Sequence, residues 1–144
     1  MLGKRKKIHF IGIGGIGMSG IAELLWNLGH SISGSDLMES DRTKYLQKMG
    51  INVKIGHNKK HIIGTDLVVY SSAVKLDNCE IKASEERNIP FIKRSEMLGE
   101  LLKVKPNSVA ISGTHGKTST TSMLGIILND AKREPTLVVG GIVH

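Results

Sequence analysis

The chain has 144 residues, 40% of them hydrophobic and 23% charged, which excludes a disordered tail and suits one globular domain, or one domain with part of a second. Aromatic residues make up only 3%, too few for a base-stacking surface, and the net charge of +7 is spread along the chain apart from the KRKK run at 4–7, so it fits a phosphate-rich small ligand rather than nucleic acid. The single cysteine, Cys79, excludes an internal disulfide and fits a cytoplasmic protein, its thiol expected half-buried on a helix. The basic start and the apolar residues after it have the outline of a leader peptide. Patterned glycines and Glu23 break that outline, and no run of about 18 uncharged apolar residues is long enough for a membrane span.

In chain order, Ile8 to Ile13 reads as a short buried strand. Met18, Ile21, Leu25 and Leu28 then recur at helical spacing until Gly29. SISGSD at 31–36 is a second strand, and 40–49 a helix with Tyr45, Leu46 and Met49 on one side. INVKIGH from 51 is a third strand, DLVVYSS at 66–72 a fourth, DNCEIKASEERN from 77 a weak helix, and PFIKR at 90–94 a fifth strand. SEMLGELLK follows as a helix with Ser95 as its N-cap and Met97, Leu98, Leu101 and Leu102 as the buried stripe. Strands alternating with helices imply a parallel sheet covered on both faces, with right-handed crossovers. KVKPN at 103–107 reads as a linker, after which the pattern restarts: SVAIS as a strand, a glycine turn, a helix over 117–131 with Met123, Leu124, Ile127 and Leu128 inward, and a strand beginning in TLVVGGIVH. The expected division is a first domain over 1–105 and the severed start of a second over 106–144, which could dock on itself or on a neighbouring copy.

FIGIGGIGMSG holds the first chemically informative motif. Gly12, Gly14 and Gly17 match G-x-G-x-x-G between a strand and a helix. In that setting Gly12 allows the tight turn, Gly14 lets the backbone approach a phosphate, and Gly17 lets helix and strand pack closely. Gly15 opens the loop further, and the free amides from Ile16 onward face the anion at the helix start. Asp36 ends the second strand about 20 residues further on, where a Rossmann-like fold places an acid against a ribose hydroxyl; the alternative role is a helix cap. His57, Ser71, Ser72 and Arg94 end later strands and are candidates for contacts to uracil, ribose or diphosphate. Alternatively Ser72 caps a turn and Arg94 pairs with an acid such as Glu96.

GTHGKTS at 113–119 is a second phosphate-binding candidate. A strict P-loop, G-x-x-x-x-G-K-[ST], would carry its first glycine at 111, where Ile111 stands; Gly113 comes two positions later. The remaining chemistry is coherent. Amides of Thr114, His115, Gly116, Lys117 and Thr118 can ring a phosphate, Lys117 can reach the β- and γ-phosphates, and the Thr118 hydroxyl can ligate Mg²⁺, with Ser119 continuing the helix start. His115 either touches the ligand or is an ordinary exposed loop residue.

Taken together, HFIGIGGIGMSGIAELL, GSD, DLVVYSSAV, RSEMLGELL and GTHGKTSTTSML resemble the Mur ligases of peptidoglycan synthesis. The likeness runs over essentially the whole chain, with the motifs in family order, and the family's own G-T-x-G-K-[ST] loop accounts for the displaced glycine. The resemblance implies three domains: one for UDP-N-acetylmuramate, one for ATP and Mg²⁺, and one for the amino acid. Among the family's branches the glycine-rich first loop fits the one that adds L-alanine. The implied reaction is phosphorylation of the lactyl carboxylate by ATP, then attack by the amine of L-alanine, with Lys117 and Thr118 as catalytic residues stabilising phosphoryl charge. By the same resemblance the later Mg²⁺ ligands and the amino-acid domain are absent here, so this chain is expected not to ligate on its own. A family of this architecture would continue for about another 300 residues.

Three other readings compete. One is the sister branch that attaches recycled tripeptide to UDP-N-acetylmuramate, whose first loop is expected to hold fewer glycines. Another is an NAD(P)-dependent oxidoreductase, which residues 10–36 allow and the second glycine turn argues against. The last is a non-catalytic nucleotide sensor.

Overall fold

A computed structural model describes residue 4, residues 6–104 and residues 107–139. Five strands, β1 (Lys7–Ile11), β2 (Ser31–Asp36), β3 (Asn52–Ile55), β4 (Leu67–Tyr70) and β5 (Phe91–Lys93), form one sheet in the order β3-β2-β1-β4-β5. Every pairing is parallel, with Ile8 opposite both Ile32 and Leu67. Among the described residues five helices accompany them: α1 (Ile16–Asn27), α2 (Asp41–Lys48), α3 (Cys79–Glu86), α4 (Arg94–Leu102) and α5 (Lys117–Asp130). This is the expected Rossmann-like α/β sheet. None of the described helices is long and apolar enough to cross a membrane.

The period-two alternation of strand side chains divides the sheet into two unlike faces. Ile8, Phe10, Ile32, Val53, Leu67 and Val69 point to one side, where Met18, Ile21 and Leu25 of α1, Leu46 of α2, and Met97 and Leu101 of α4 cover them. Ile11, Val68 and Tyr70 point to the other and meet Ile62 together with Ile81 and Ala83 of α3. His9, Ser33 and Ser35 share that second face by register, so it is a mixed polar and apolar core. Each fully buried Ile, Leu or Phe contributes about 1.5–3 kcal/mol, which makes the first face the main source of stability.

Local chemistry sets the element ends. Helix α1 stops where Gly29 takes φ +89, which lets its own amide reach Trp26 O and the amide of His30 reach Leu25 O. Helix α2 begins at a reciprocal cap, with Ser40 Oγ accepting from Thr43 N and Thr43 Oγ1 accepting from Ser40 N.

Several sequence expectations are corrected. The first strand ends at Ile11 because Gly12 starts the turn. Tyr45 is exposed rather than inward, and its hydroxyl donates to Glu23. Ser95 is not an N-cap: β5 runs directly into α4, Lys93 holds the cap position, and the helix starts at Arg94. In α4, Met97 and Leu101 are buried while Leu102 is exposed, because only one edge of the stripe meets the sheet. Cys79 is exposed, not half-buried, since it opens α3 on the outer side.

The largest correction lies beyond residue 107. SVAIS at 108–112 forms no strand, and no strand is seen over 136–139; the rest of TLVVGGIVH and the centre of the KVKPN linker fall outside the described residues. Extended segments become strands only by pairing with another edge, and no such pairing of 108–112 is seen among the described residues. In α5 the expected inward residues Met123 and Ile127 are about 60% exposed (58% and 63%), and only Gly125 is buried, under Leu137. Val138 does reach the first core, so this segment docks on the same chain's sheet domain.

Candidate functional site

The first glycine turn sits at the carboxyl ends of β1, β2 and β4, beside the point where strand order reverses between β1 and β4. In open parallel sheets ligands gather in the crevice at that point. Gly12, at φ +79, turns the chain sharply, and a Cβ there would lie 3.3 Å from Ser71 Cβ. The amides of Gly12 and Ile13 both donate to Ser35 O, at 2.8 and 3.1 Å, and that of Gly14 donates to Asp36 Oδ2 at 2.8 Å. The Gly15 amide closes back on Gly12 O. The end of β2 therefore clamps the turn from behind.

What stays open is the start of α1. Its N-cap, Gly15, supplies no side chain, and the amides of Ile16 and Gly17 have no hydrogen-bond partner among the described residues. Two free N–H groups at the positive end of a helix dipole favour an anion. Arg94, the first residue of α4, lies over this end: a Cβ at Gly17 would be 2.6 Å from its Nη1 and 3.3 Å from its Cζ. The guanidinium of Arg94 has neither a hydrogen bond nor an ion pair among the described residues, so the alternative pairing with an acid such as Glu96 is not seen.

Two glycines make room for neighbours that the sequence did not indicate. Gly17 makes room for Arg94 rather than for strand packing. Gly14 admits Asp36 and α2, since a Cβ there would sit 2.9 Å from both Asp36 Oδ2 and Thr43 Cγ2. Close packing between turn and strand falls to Gly34, where a Cβ would meet Ile13 Cδ1 at 2.5 Å and Phe10 O at 2.8 Å.

The other sequence candidates divide. Asp36 gives Oδ2 to Gly14, while its Oδ1 has only a long 3.4 Å contact from Met38 N; Ser40, not Asp36, caps the next helix. Ser71 adjoins Gly12, and its Oγ accepts from Ala73 N. Ser72 is exposed. His57 turns inward: its Nδ1 lies 2.9 Å from Ser35 Oγ and 3.5 Å from Glu80 Oε2.

That contact leads to residues the sequence reading missed. Glu80, on α3, is completely buried. Its Oε1 accepts from Asn58 N at 3.1 Å and lies 2.7 Å from His61 Nδ1; its Oε2 accepts from Ser35 Oγ at 2.6 Å. His9 Nε2, also buried, stands 3.5 Å from Oε2 and makes no hydrogen bond among the described residues. Burial alone would push the Glu80 carboxyl up. His9, the Ser35 hydroxyl and the Asn58 amide outweigh that and hold it at about 2. The one sequence signal was a histidine inside the apolar strand HFI; nothing local linked it to residue 80.

The second glycine turn is separate. Gly116 takes φ +78 and caps α5. The amides of residues 113–119 have no partner among the described residues apart from their own helix. Lys117 Nζ donates to Gly113 O at 2.6 Å and so folds back over its own loop. Thr118 is exposed at the helix start, with Ser119 beside it, and His115 is exposed in the loop. A cleft of about 900 Å³ between α4 and residues 107–138 reaches neither turn, and with Leu98, Leu101, Leu124 and Val138 in its lining it is an apolar packing gap.

With this geometry in view, residues 7–106 match the model of the Mur ligase family, catalytic domain. A UDP-N-acetylmuramate–L-alanine ligase of Aquifex aeolicus is 54% identical over 94% of this chain. The crystal structure of UDP-N-acetylmuramate-alanine ligase MurC from Thermotoga maritima superposes with a TM-score of 0.90 at 38% identity, covering 96% of this chain and 33% of that one. A UDP-N-acetylmuramate:L-alanyl-gamma-D-glutamyl-meso-diaminopimelate ligase from Neisseria meningitides gives 0.87 at 31% identity, covering 96% and 44%. The chain spans about 30% of the length of the curated relatives it matches.

Proposed function

The chain belongs to the Mur ligase family, and on that premise we propose that it carries the sugar-nucleotide-binding domain, and the opening of the ATP-binding domain, of a ligase that joins L-alanine to UDP-N-acetylmuramate in peptidoglycan synthesis. The boundary between the two falls near residue 105. The observation that carries this reading is the anion seat at α1: two free amides, Ile16 and Gly17, under the unpaired Arg94 guanidinium. That seat suits a diphosphate. Asp36 Oδ1 is placed for a ribose or base donor, and Ser71 and Ser72 flank the same crevice, while His57 reaches it through Ser35.

The second turn fits a nucleoside triphosphate, since its amides are open and its lysine is held only by its own loop carbonyls. Lys117 would leave Gly113 O for the β- and γ-phosphate oxygens of ATP. Thr118 would offer its hydroxyl to Mg²⁺, which supplies charge neutralisation on the phosphates when bound. In the ligation the lactyl carboxylate attacks the γ-phosphorus of ATP, the bond to the β,γ-bridging oxygen breaks and ADP leaves, giving an acyl phosphate; the amine of L-alanine then attacks the acyl carbon, gives up a proton and expels inorganic phosphate as the amide forms. Lys117 stabilises the charge that develops on the transferring group.

The test is calorimetric titration of the chain with UDP-N-acetylmuramate, NAD and ATP in separate experiments. UDP-N-acetylmuramate binding without NAD binding is expected, with Arg94→Ala weakening it about tenfold or more, the scale of a charge-assisted hydrogen bond. Binding of NAD alone overturns the reading in favour of an oxidoreductase. Phosphate release dependent on L-alanine is expected to be absent from this chain, and its appearance would contradict the division of domains.

A further inference from the structure

We propose that Glu80 is a positioning residue for the first glycine turn, holding it in its anion-receiving shape through Ser35. The inference rests on the sugar-nucleotide reading of that turn, and goes beyond it by assigning a role to a residue that cannot touch the ligand.

Glu80 is fully buried, on the face of the sheet opposite α1. Its Oε2 takes the Ser35 hydroxyl at 2.6 Å, the shortest kind of hydrogen bond, with an ionised acceptor. The same residue, Ser35, accepts the amides of Gly12 and Ile13 on its carbonyl, and the next residue, Asp36, accepts that of Gly14. Three consecutive amides of the turn are thus fixed by two residues at the end of β2, and the side chain of one of them is fixed by Glu80.

Glu80 is itself held from every element around it. Asn78 caps its amide, Ser84 Oγ donates to its carbonyl, the loop after β3 supplies Asn58 N, His57 and His61, and β1 supplies His9. A carboxylate with so many donors has no freedom to follow a moving strand. It anchors the end of β2 at one height above the sheet. That height sets where Gly14 and the start of α1 stand, hence whether the amides of Ile16 and Gly17 converge with Arg94.

The arrangement also explains why the cluster is polar. An apolar residue at position 80 would fill the same space but could not take the Ser35 hydroxyl or the Asn58 amide, and would leave His61 Nδ1 without its partner. Buried networks of this kind contribute placement more than stability.

The experiment compares the whole chain with Glu80→Gln and Ser35→Ala. Backbone amide hydrogen exchange is followed by NMR at Gly12, Ile13 and Gly14, with Val69 of β4 as a reference, and UDP is titrated into each protein. The expected result is a loss of protection of at least tenfold at Gly12, Ile13 and Gly14 relative to Val69, with UDP affinity reduced by about tenfold. Should Glu80→Gln unfold, Ser35→Ala, which leaves the carboxylate and its other donors in place, carries the same comparison. Equal loss at Val69 and the turn in the Ser35→Ala protein, or no loss at all, overturns the proposal and leaves a merely structural cluster. Selective loss with undiminished UDP affinity overturns the link to binding. If the unaltered chain fails to bind UDP, the sugar-nucleotide reading fails by itself, and the exchange pattern still decides whether Glu80 positions the turn.

Discussion

Gly17 and Gly34 each leave room for a neighbour, but the neighbours differ in how easily they yield. At Gly17 the intruding atoms are the end of Arg94, a flexible side chain. At Gly34 they are Ile13 and the carbonyl of Phe10, both locked in the core. Gly17→Ala is therefore expected to fold normally, with a thermal midpoint unchanged or raised, because alanine favours a helix by up to about 1 kcal/mol over glycine. Its cost falls on binding: the displaced guanidinium weakens sugar-nucleotide affinity about tenfold by calorimetry. Gly34→Ala cannot be absorbed in that way and would be an overpacking change. Both glycines are visible in the sequence. Which of them serves binding and which serves packing depends on Arg94 and Ile13, whose positions no local pattern contains.

The β5–α4 junction shows how connectivity makes the site. Ser95 looks like a helix cap in the sequence, and a cap there would place Arg94 outside the helix. The strand instead runs on without a loop, so Arg94 becomes the first helical residue and its side chain reaches α1. Helix α2 is the opposite case, since its reciprocal cap is formed by adjacent residues. Ser40 also lies beside the glycine turn, with Oγ 3.3 Å from where a Gly14 Cβ would stand. Ser40→Ala is expected to cost about 1 kcal/mol in urea unfolding, the usual loss for such a cap. Beyond Gly116 the helix α5 was legible from its spacing, but its inward side was not: amphipathic periodicity says which residues share a face, and says nothing about what, if anything, covers it.

Acid stability is a property of the whole chain, and the buried Glu80 carboxyl contributes to it. Glu80 is held at about 2, below its ordinary 4.5. The stabilisation is therefore complete above the ordinary value and disappears as pH falls from 4.5 towards 2. By linkage it amounts to about 3 kcal/mol. The groups that face the carboxylate are His9 from β1, Ser35 from β2, and His57, Asn58 and His61 from the loop after β3, so its protonation loosens three elements together. Urea unfolding followed at several pH values between 5 and 2 should show stability falling across that window. The fall should be distinctly shallower for Glu80→Gln, which has no charge to lose.

The order of strands and helices, both glycine turns and the acid closing β2 could be read from the sequence because each depends on neighbours along the chain: alternation, backbone sterics and helix spacing act over a few residues. The tertiary structure decided the rest. Ser35 and Glu80 are 45 positions apart and meet only because α3 packs against the face that β2 shares with His9. Arg94 meets Gly17 only because β4 and β5 extend the sheet on the far side of β1 and return the chain to α1. SVAIS has the composition of a strand and joins no sheet among the described residues, since pairing with a second backbone, and not composition, makes a strand.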